Sequence, residues 1–548
     1  MGHRQWVVAL ANSSRMVQTR AFFLSVGLAG FTLLDGCGHH ATQDEEEHVI
    51  LLRRGLSGDL SSLDPAAAAD TFSVQVLQDL YEGLTAESPT GSAIPAVASS
   101  WSVDAAGTQY TFHLRPDAHW SNGKPVRAQD FVVAWRRVLD PKQGSPVADD
   151  LRLISGAGAI IAGQAAPETL GVAAPGDAVL IVNLSQPAAY LPQILAHSAA
   201  FPVYSDAAAR THAAGEWVSN GPYVLSKWQP GTALELTKNS AYWDKANVHI
   251  SAVEYQVTSD DASQYARYRA GQIDLTDSVP ANMLPTLRAE HSSELVIAPF
   301  LATAYYGLNL SNKTMGSSLA LRKALAMAVD RRQLVETLGF GQVGAYGFVP
   351  PGTWNYDPQS WAWTGATDAD RIAEARRLYA QAGFTAESPL HLRLLFNSNP
   401  VIRRTAILTA AMWKETLGVE TELTDEEYRV FLTSRHDKSR WDVARLGWNA
   451  DFNDASNFLD TFRAHSSNND PGFENPSFDA LVDQAAATGD LEKRRHLLEN
   501  AERVMLDDYP IVPLYFFVSK AMVKPYVHGF KPSPLNHMPS KELSLVAH

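Results

Sequence analysis

The chain has 548 residues and a formal net charge of −14; 45% of its residues are hydrophobic and 19% are charged. This composition is typical of a globular protein and excludes a disordered or fibrous chain, and the acidic balance without a Lys/Arg run argues against a nucleic-acid partner. Because a single hydrophobic core stops growing at roughly 250–300 residues, the length predicts more than one lobe.

The first predicted element is a secretory leader at residues 1–37. An apolar run at 21–34 follows two arginines and is shorter than the roughly 20 apolar residues that a membrane-spanning helix needs. The residues Leu34-Asp35-Gly36-Cys37 resemble the bacterial lipobox, in which the cysteine is lipidated and becomes the mature N-terminus. Cys37 is the single cysteine of the chain, so an internal disulfide is excluded. A lipid on Cys37 is the predicted membrane attachment, but Asp35 is unusual in a lipobox and leaves ordinary signal cleavage open.

Residues 38–48 are polar and charged and are predicted to be a flexible tether. Beyond the tether, period-two and helical hydrophobic patterns alternate along the chain. Alternation predicts strands at 110–114 and 234–237, and further strands are predicted at 49–52, from a short apolar run, and at 179–184, 223–225, 392–396 and 442–446. The helical patterns predict helices at 74–84, 128–139, 319–338, 368–382, 403–417 and 491–506. This alternation indicates α/β lobes, and the lack of a Gly/Ser-rich linker predicts that the chain crosses between them more than once.

Signatures of catalysis are missing from the sequence. There is no G-x-S-x-G nucleophile elbow, no glycine loop for a dinucleotide or a phosphate, and no H-E-x-x-H zinc motif. The segment 451–454 is rich in oxygen ligands but lacks the glycine and the closing glutamate of a calcium loop. The sequence does not exclude the paired catalytic carboxylates of a glycoside hydrolase. Any one pair among 59 acidic residues is, however, weak evidence for such a site. We therefore predict that the protein is not an enzyme and uses no metal or cofactor.

A series of motifs runs in order through the chain. They are W-S-N-G at 120–123 with Trp135, N-G-P-Y at 220–223, Y-R-A-G-Q-I-D at 268–274, L-R-K-A at 321–324 and R-L-G-W-N-A-D-F-N-D at 445–454. Together they resemble the peptide- and nickel-type solute-binding proteins of ABC importers, family 5, and the last motif is most similar to the oligopeptide-binding branch. Each motif alone is weak evidence, but the ordered set is specific and extends from residue 49 to the C-terminus.

The resemblance implies an α/β fold of the periplasmic-binding-protein type II, with two lobes, a hinge and an extra subdomain in the first lobe. Carried onto this sequence, its boundaries place lobe I at 49–80, 205–304 and 517–548, the extra subdomain at 81–204 and lobe II at 305–516. It also implies a periplasmic monomer, outside the cytoplasmic membrane, that captures short peptides between its lobes. Such proteins deliver the peptide to an ABC permease with its ATPase subunits.

Peptide capture sets two chemical requirements. The backbone must be recognised while the side chains are tolerated, which strand addition achieves, and a buried α-ammonium group needs a carboxylate. The resemblance assigns that carboxylate to Asp451, with Trp448 as an apolar wall; a cap of the following turn is the alternative role for Asp451. Arg435 and Arg445 resemble the family's basic residues near the far end of short peptides, where they can meet a carboxylate.

Three more residues complete the predicted ligand-binding site. Tyr305 and Tyr515 fall at the implied lobe crossings, where they either line the cleft or only pack. Asn449 stands where relatives commonly carry cysteine, and Val147 follows Ser-Pro where they usually carry tyrosine. Both departures bear on the length and the side chains of the preferred peptide. The alternatives are a nickel chelate, an opine or a murein peptide on the same scaffold, a secreted hydrolase, and a structural surface lipoprotein.

Overall fold

The computed structural model describes residues 49–204 and 217–546. The predicted leader, the tether and Cys37 therefore lie outside the described residues. The chain from Val49 onward forms one compact unit. Within the described ranges, no helix combines the length and the apolar character that are needed to cross a bilayer.

Period-two alternation explains the strands. In the segment 109–114, for example, Tyr110, Phe112 and Leu114 are buried, whereas the residues between them are not. The strands are β1 (Leu51–Leu56), β2 (Thr85–Glu87), β3 (Ala93–Pro95), β4 (Ala98–Val103), β5 (Gln109–Leu114), β6 (Val172–Gly176), β7 (Val179–Asn183), β8 (Tyr223–Gln229), β9 (Ala233–Lys238), β10 (Ala252–Val257), β11 (Leu295–Leu308), β12 (Val343–Gly344), β13 (His391–Asn397), β14 (Glu420–Glu426), β15 (Val443–Asn449), β16 (Ile511–Met522), β17 (Val527–His528) and β18 (Ser544–Leu545).

Side-chain caps explain where many of the helices begin. Asp70, Asn399 and Asp490 each accept a hydrogen bond from a backbone N–H in the first turn of the helix that follows. Gly339 and Gly418 end two helices in the left-handed conformation. The helices are α1 (Thr71–Leu80), α2 (Ala128–Leu139), α3 (Ala157–Ile161), α4 (Leu191–Ile194), α5 (Asp261–Arg269), α6 (Leu284–Glu290), α7 (Lys313–Ser317), α8 (Leu319–Met327), α9 (Arg331–Leu338), α10 (Asp368–Gln381), α11 (Pro400–Leu417), α12 (Tyr428–Ser434), α13 (Ala455–Leu459), α14 (Pro476–Ala486) and α15 (Leu491–Asp508).

The first lobe combines two four-stranded sheets. One has the order β1-β10-β9-β8, with β1 parallel to β10, and the other is antiparallel with the order β4-β5-β7-β6. Both sheets contribute to one hydrophobic core, which also receives α1, α2 and α4 and in which Trp120, Trp135 and Tyr223 are fully buried. The hairpin of β2 and β3 connects α1 to the second sheet.

The end of the chain also belongs to the first lobe. Val523 bridges to Leu275, which in turn bridges to Arg54 of β1. The buried carboxylate of Asp79 accepts hydrogen bonds from the backbone N–H of Ser540 at 2.7 Å and from its hydroxyl at 2.6 Å. The guanidinium of Arg54 donates to the same hydroxyl at 2.7 Å. These contacts fix the segment after β16 against β1 and α1.

The second lobe is built on a six-stranded sheet with the order β12-β16-β11-β15-β13-β14. Its hydrophobic core draws on residues from Leu301 to Tyr515. Two of its strands, β11 and β16, pair along both lobes: the segment 295–299 pairs with 518–522, and 303–307 pairs with 511–516. The register shifts between these two stretches. This antiparallel pair is therefore the crossing between the lobes.

One predicted element is divided in the structure: the helix predicted at 319–338 forms the two helices α8 and α9. Asp330 caps α9 by accepting a hydrogen bond from the backbone N–H of Gln333 at 2.9 Å. Buried Arg331 holds the break by donating to four backbone carbonyls, those of Ala326, Val329, Ala345 and Pro513. The apolar spacing continues through the break, which is why the sequence pattern predicts one helix.

A carboxylate is buried in the core of the second lobe. Glu502 of α15 accepts hydrogen bonds from the backbone N–H groups of Phe348 at 2.6 Å and Val349 at 3.0 Å, and from the hydroxyl of Tyr356. Burial raises the pKa of Glu502 to about 7, although these hydrogen bonds act in the opposite direction. The folded protein therefore holds a proton on Glu502 at pH values at which the unfolded chain has lost it.

Glu502→Gln is expected to flatten the pH dependence of stability between pH 4.5 and about 7. Because the folded-state pKa is the higher one, the wild-type free energy of unfolding falls as the pH rises through this window, by on the order of 3 kcal/mol. Denaturant unfolding at a series of pH values measures this slope. Glu492→Gln, at an exposed position of the same helix, is the control. An unchanged slope in Glu502→Gln would show that Glu502 does not titrate in this range.

Candidate functional site

One edge of β15 is unpaired over most of its length. On one side, β11 follows β15 from Val443 to Asn449. On the other side, β13 pairs with it only at Val443 and Ala444. Beyond Ala444 this side of β15 meets no strand in the described part of the chain. Gly447 and Asn449 are exposed, so the backbone of this free edge is accessible.

Strand alternation determines which backbone groups the free edge presents. The Ala450 N–H donates to the carbonyl of Leu301 in β11 at 2.8 Å. Successive residues of a strand point their N–H and C=O groups to opposite sides. The backbone groups of Arg445, Gly447 and Asn449 therefore point away from β11, toward the free edge, where an extended chain can pair with them.

Asp451 follows the free edge and is positioned by Asn457. The Asn457 side-chain oxygen accepts from the indole N–H of Trp448 at 2.7 Å and from the backbone N–H of Asp451 at 3.4 Å. Its amide nitrogen donates to the Asp451 carboxylate at 3.4 Å. Although solvent reaches the Asp451 side chain, desolvation by the surrounding protein, and then the carboxylate of Asp150, raise its pKa.

Asp451 and residues of the first lobe line one pocket. The first-lobe side of this pocket is polar, and its side chains come from β2, from α4 and the turn after it, and from the end of the chain. They are Glu87, Gln193, His197 and His537. We call it the Asp451 pocket. A larger pocket adjoins it and shares Glu87 and His537 with it.

Two ion pairs lie at the first-lobe side of the Asp451 pocket. His537 Nδ1 is 2.7 Å from a Glu87 carboxylate oxygen, and His197 Nδ1 is 3.3 Å from an Asp150 carboxylate oxygen. Desolvation lowers the pKa of His197, but its bond with Asp150 and the charges of Asp451 and Glu87 outweigh it and raise the pKa overall. Each of the two imidazoles that line this pocket therefore already has a carboxylate partner.

A buried ion pair anchors the segment after Asp451. The guanidinium of Arg494 donates to both carboxylate oxygens of Asp454, at 2.7 and 2.8 Å, and the two side chains are 2% and 1% exposed. The same guanidinium lies 4.8 Å from the ring centroid of Tyr190 in the first lobe. Tyr190 also stacks on Phe452, with ring centroids 5.4 Å apart. The two lobes therefore touch beside the Asp451 pocket.

The predicted basic residues differ in their surroundings. Arg435 Nε lies 3.5 Å from the carboxylate of Asp470, which His436 also approaches, at 3.0 Å. Arg435 therefore already has a counter-charge within the second lobe. Arg445 is half-buried on β15, and no carboxylate of the described residues lies within ion-pair distance of it.

The predicted tyrosines both lie in the second-lobe core. Tyr305 is 3% exposed and packs edge-to-face on Phe348, with centroids 5.2 Å apart. Tyr515 is 2% exposed and packs edge-to-face on Phe517 at 5.3 Å. Of the two roles left open for these tyrosines, their burial favours packing. Asn449, in contrast, is exposed at the free edge.

None of the first-lobe residues of the Asp451 pocket belongs to the ordered set of motifs. Each is an isolated Glu, Gln or His in a segment of ordinary composition, and such residues are mostly exposed in proteins. The signal that identifies them is their burial around one pocket, which depends on contacts between segments hundreds of residues apart.

Comparisons with known proteins identify similar sequences. The family model of the bacterial extracellular solute-binding proteins, family 5 (Middle), matches residues 92–470. The periplasmic oligopeptide-binding protein OppA of Escherichia coli (strain K12) is 35% identical over 506 residues, which cover 91% of this chain and 93% of OppA.

Two solved structures are similar to this chain over 91% of its length. The unliganded open form of the periplasmic murein tripeptide-binding protein MppA has a TM-score of 0.85 at 33% identity, covering 91% of this chain and 98% of that one. Haemophilus influenzae OppA in complex with the peptide RPPGFSPFR has a TM-score of 0.71 at 31% identity, covering 91% and 100%.

Proposed function

Because the chain belongs to family 5 of the bacterial extracellular solute-binding proteins, we propose that it captures short peptides between its lobes and delivers them to an ABC importer. One observation carries the peptide assignment: the free edge of β15 ends at a carboxylate that forms no ion pair among the described residues. The edge offers backbone pairing to any extended peptide, and the carboxylate offers a counter-charge to its α-ammonium group.

The positions of Asp451 and Arg445 give the bound peptide a direction. With its ammonium group at Asp451 and its carboxylate toward Arg445, the peptide runs antiparallel to β15. The edge from Arg445 to Asn449 is about 14 Å long at ~3.4 Å per residue, the length of an extended peptide of four or five residues. Trp448, half-buried beside Asn457, supplies an apolar surface near the first peptide residue.

Closure of the lobes completes binding. Residues of both lobes line the Asp451 pocket, so rotation about the crossing of β11 and β16 brings the first-lobe side onto the ligand. Water leaves the site on closure, and each backbone hydrogen bond and the ammonium–carboxylate pair become stronger. The role is that of a carrier, with no chemical change of the peptide and no cofactor.

The proposal also covers the location of the protein in the cell, its attachment to the membrane and its partner proteins. The protein acts outside the cytoplasmic membrane, as a monomer, and is held to the membrane at most by a lipid on Cys37. Its partners are the permease and the ATPase subunits of the importer. The apolar leader ahead of Cys37 and the periplasmic relatives support this location.

Native mass spectrometry of residues 38–548, with and without a mixture of di- to pentapeptides, tests the proposal. We expect intact peptides of about four or five residues to stay bound to the folded protein, because they match the free edge in length. A mixture that is unchanged and unbound would contradict peptide binding and favour a nickel chelate or an opine. A degraded mixture would overturn the assignment as a carrier.

A further inference from the structure

The Asp451 pocket holds three hydrogen-bond acceptors whose capacity is not used within the protein. Glu87 receives His537 on one carboxylate oxygen, but its other oxygen is buried and has no hydrogen-bond partner. Gln193 is 8% exposed, and its side-chain oxygen is also buried without a partner. The Asp451 carboxylate receives one long bond of 3.4 Å, from Asn457.

Buried acceptors without donors are unfavourable, so a site that keeps two of them beside a carboxylate is built for a ligand rich in donors. The charge of the pocket specifies the ligand further. His197 already pairs with Asp150 and His537 with Glu87, whereas Asp451 forms no ion pair among the described residues, so the missing group is a cation. A metal ion does not fit, because among the described residues no three His, Cys, Asp or Glu side chains converge on one point.

A primary ammonium group carries one positive charge and three N–H donors. It therefore matches the three acceptors of the pocket in number as well as in sign. A secondary ammonium, as in an N-terminal proline, has two donors, and an acetylated amine has one donor and no charge.

We propose that Glu87 and Gln193 complete a cage of three acceptors, with Asp451, around the primary ammonium of the ligand. This inference rests on the proposed function, in which Asp451 receives that group. Glu87 and Gln193 determine specificity, since they distinguish a primary amine from a methylated or acetylated one. His537 is a positioning residue, because its bond of 2.7 Å holds one Glu87 oxygen and leaves the other for the ligand. The two sides of the cage lie in different lobes, so a fully paired ammonium group requires closure.

The test compares tetra-alanine with its N-methyl, N,N-dimethyl and N-acetyl forms by isothermal titration calorimetry. In the wild type, we expect each N–H that is lost to weaken binding by about tenfold, as for a buried acceptor left unpaired. In Glu87→Gln and Gln193→Leu, binding of tetra-alanine falls by about tenfold, and binding of the acetylated peptide changes less than about twofold. Glu168→Gln, at an exposed position of the same lobe, leaves all four affinities unchanged.

Other outcomes separate this inference from the proposed function. If the variants weaken all four peptides equally, or none of them, the cage is wrong and peptide binding stands. If the wild type binds no peptide, the proposed function is wrong. A second measurement then tests separately whether the cage of three acceptors binds a primary ammonium group. Butylammonium, but not butyltrimethylammonium, is then expected to shift the imidazole Cε1–H resonances of His197 and His537. Equal shifts with both probes, or none, would overturn the cage as well.

Discussion

Asp451→Ala is expected to weaken the binding of a free-amine tetrapeptide by about 30- to several-thousand-fold, or about 2–5 kcal/mol. The variant leaves the α-ammonium group in the closed cleft without the carboxylate that compensates its loss of water. Backbone pairing along β15 is unaffected, so the peptide still binds, but weakly. Isothermal titration calorimetry of the variant and the wild type measures the difference.

Asp507→Ala is the matched control, because it removes an exposed aspartate of the same lobe. An effect of Asp451→Ala below about threefold would show that Asp451 is not the partner of the ammonium group. The pH dependence gives a second check. Desolvation raises the pKa of Asp451, so wild-type affinity is lost, as the pH falls, at a higher pH than for an ordinary aspartate. The Asp451→Ala variant is expected to show no such loss of peptide affinity as the pH falls.

Asp454→Asn is expected to lower the free energy of unfolding by about 3–5 kcal/mol. The variant keeps the size of the side chain but removes the carboxylate that accepts two hydrogen bonds from the buried guanidinium of Arg494. Arg494 cannot release its proton at neutral pH. The ring of Tyr190 attracts a cation only weakly, and the charge of Asp460 acts on Arg494 without a hydrogen bond or an ion pair. Guanidinium-induced unfolding followed by tryptophan fluorescence measures the loss.

The double variant Asp454→Leu with Arg494→Met separates charge from packing. Replacing both partners of a buried ion pair by apolar residues often costs little, so this variant is expected to be close to the wild type in stability. If the double variant is as unstable as Asp454→Asn, packing around α13 and α15 accounts for the loss, and the unpaired charge does not.

The fold and the second-lobe side of the site were predictable from the sequence for different reasons. Alternating strand and helix patterns indicate α/β lobes, and the ordered motifs predict the two-lobe fold, which the structural neighbours confirm. The segment 445–454 is continuous in sequence, so one motif carries the free edge and Asp451 together. The roles of the individual residues within it stay predictions.

Two features were not predictable because they depend on contacts distant in sequence. Arg435 pairs with Asp470 across 35 positions, and nothing in either segment indicates the other. Glu87 and His537 meet across 450 positions, in the first lobe. The helix prediction at 319–338 had the correct apolar spacing but missed the break between α8 and α9. The break depends on which backbone carbonyls accept hydrogen bonds from the guanidinium of Arg331.

The contacts of the last segment have a consequence for the order in which the protein can fold. Ser540 closes a buried network with Asp79 and Arg54, and the crossing strand β16 is among the last elements to be synthesised. The first lobe is therefore incomplete until almost the whole chain is available. Its native contacts join the two ends of the sequence, so the loop that must close is nearly as long as the protein, and folding is expected to be slow. Until then, the N-terminal segments of the first lobe lack part of their native contacts.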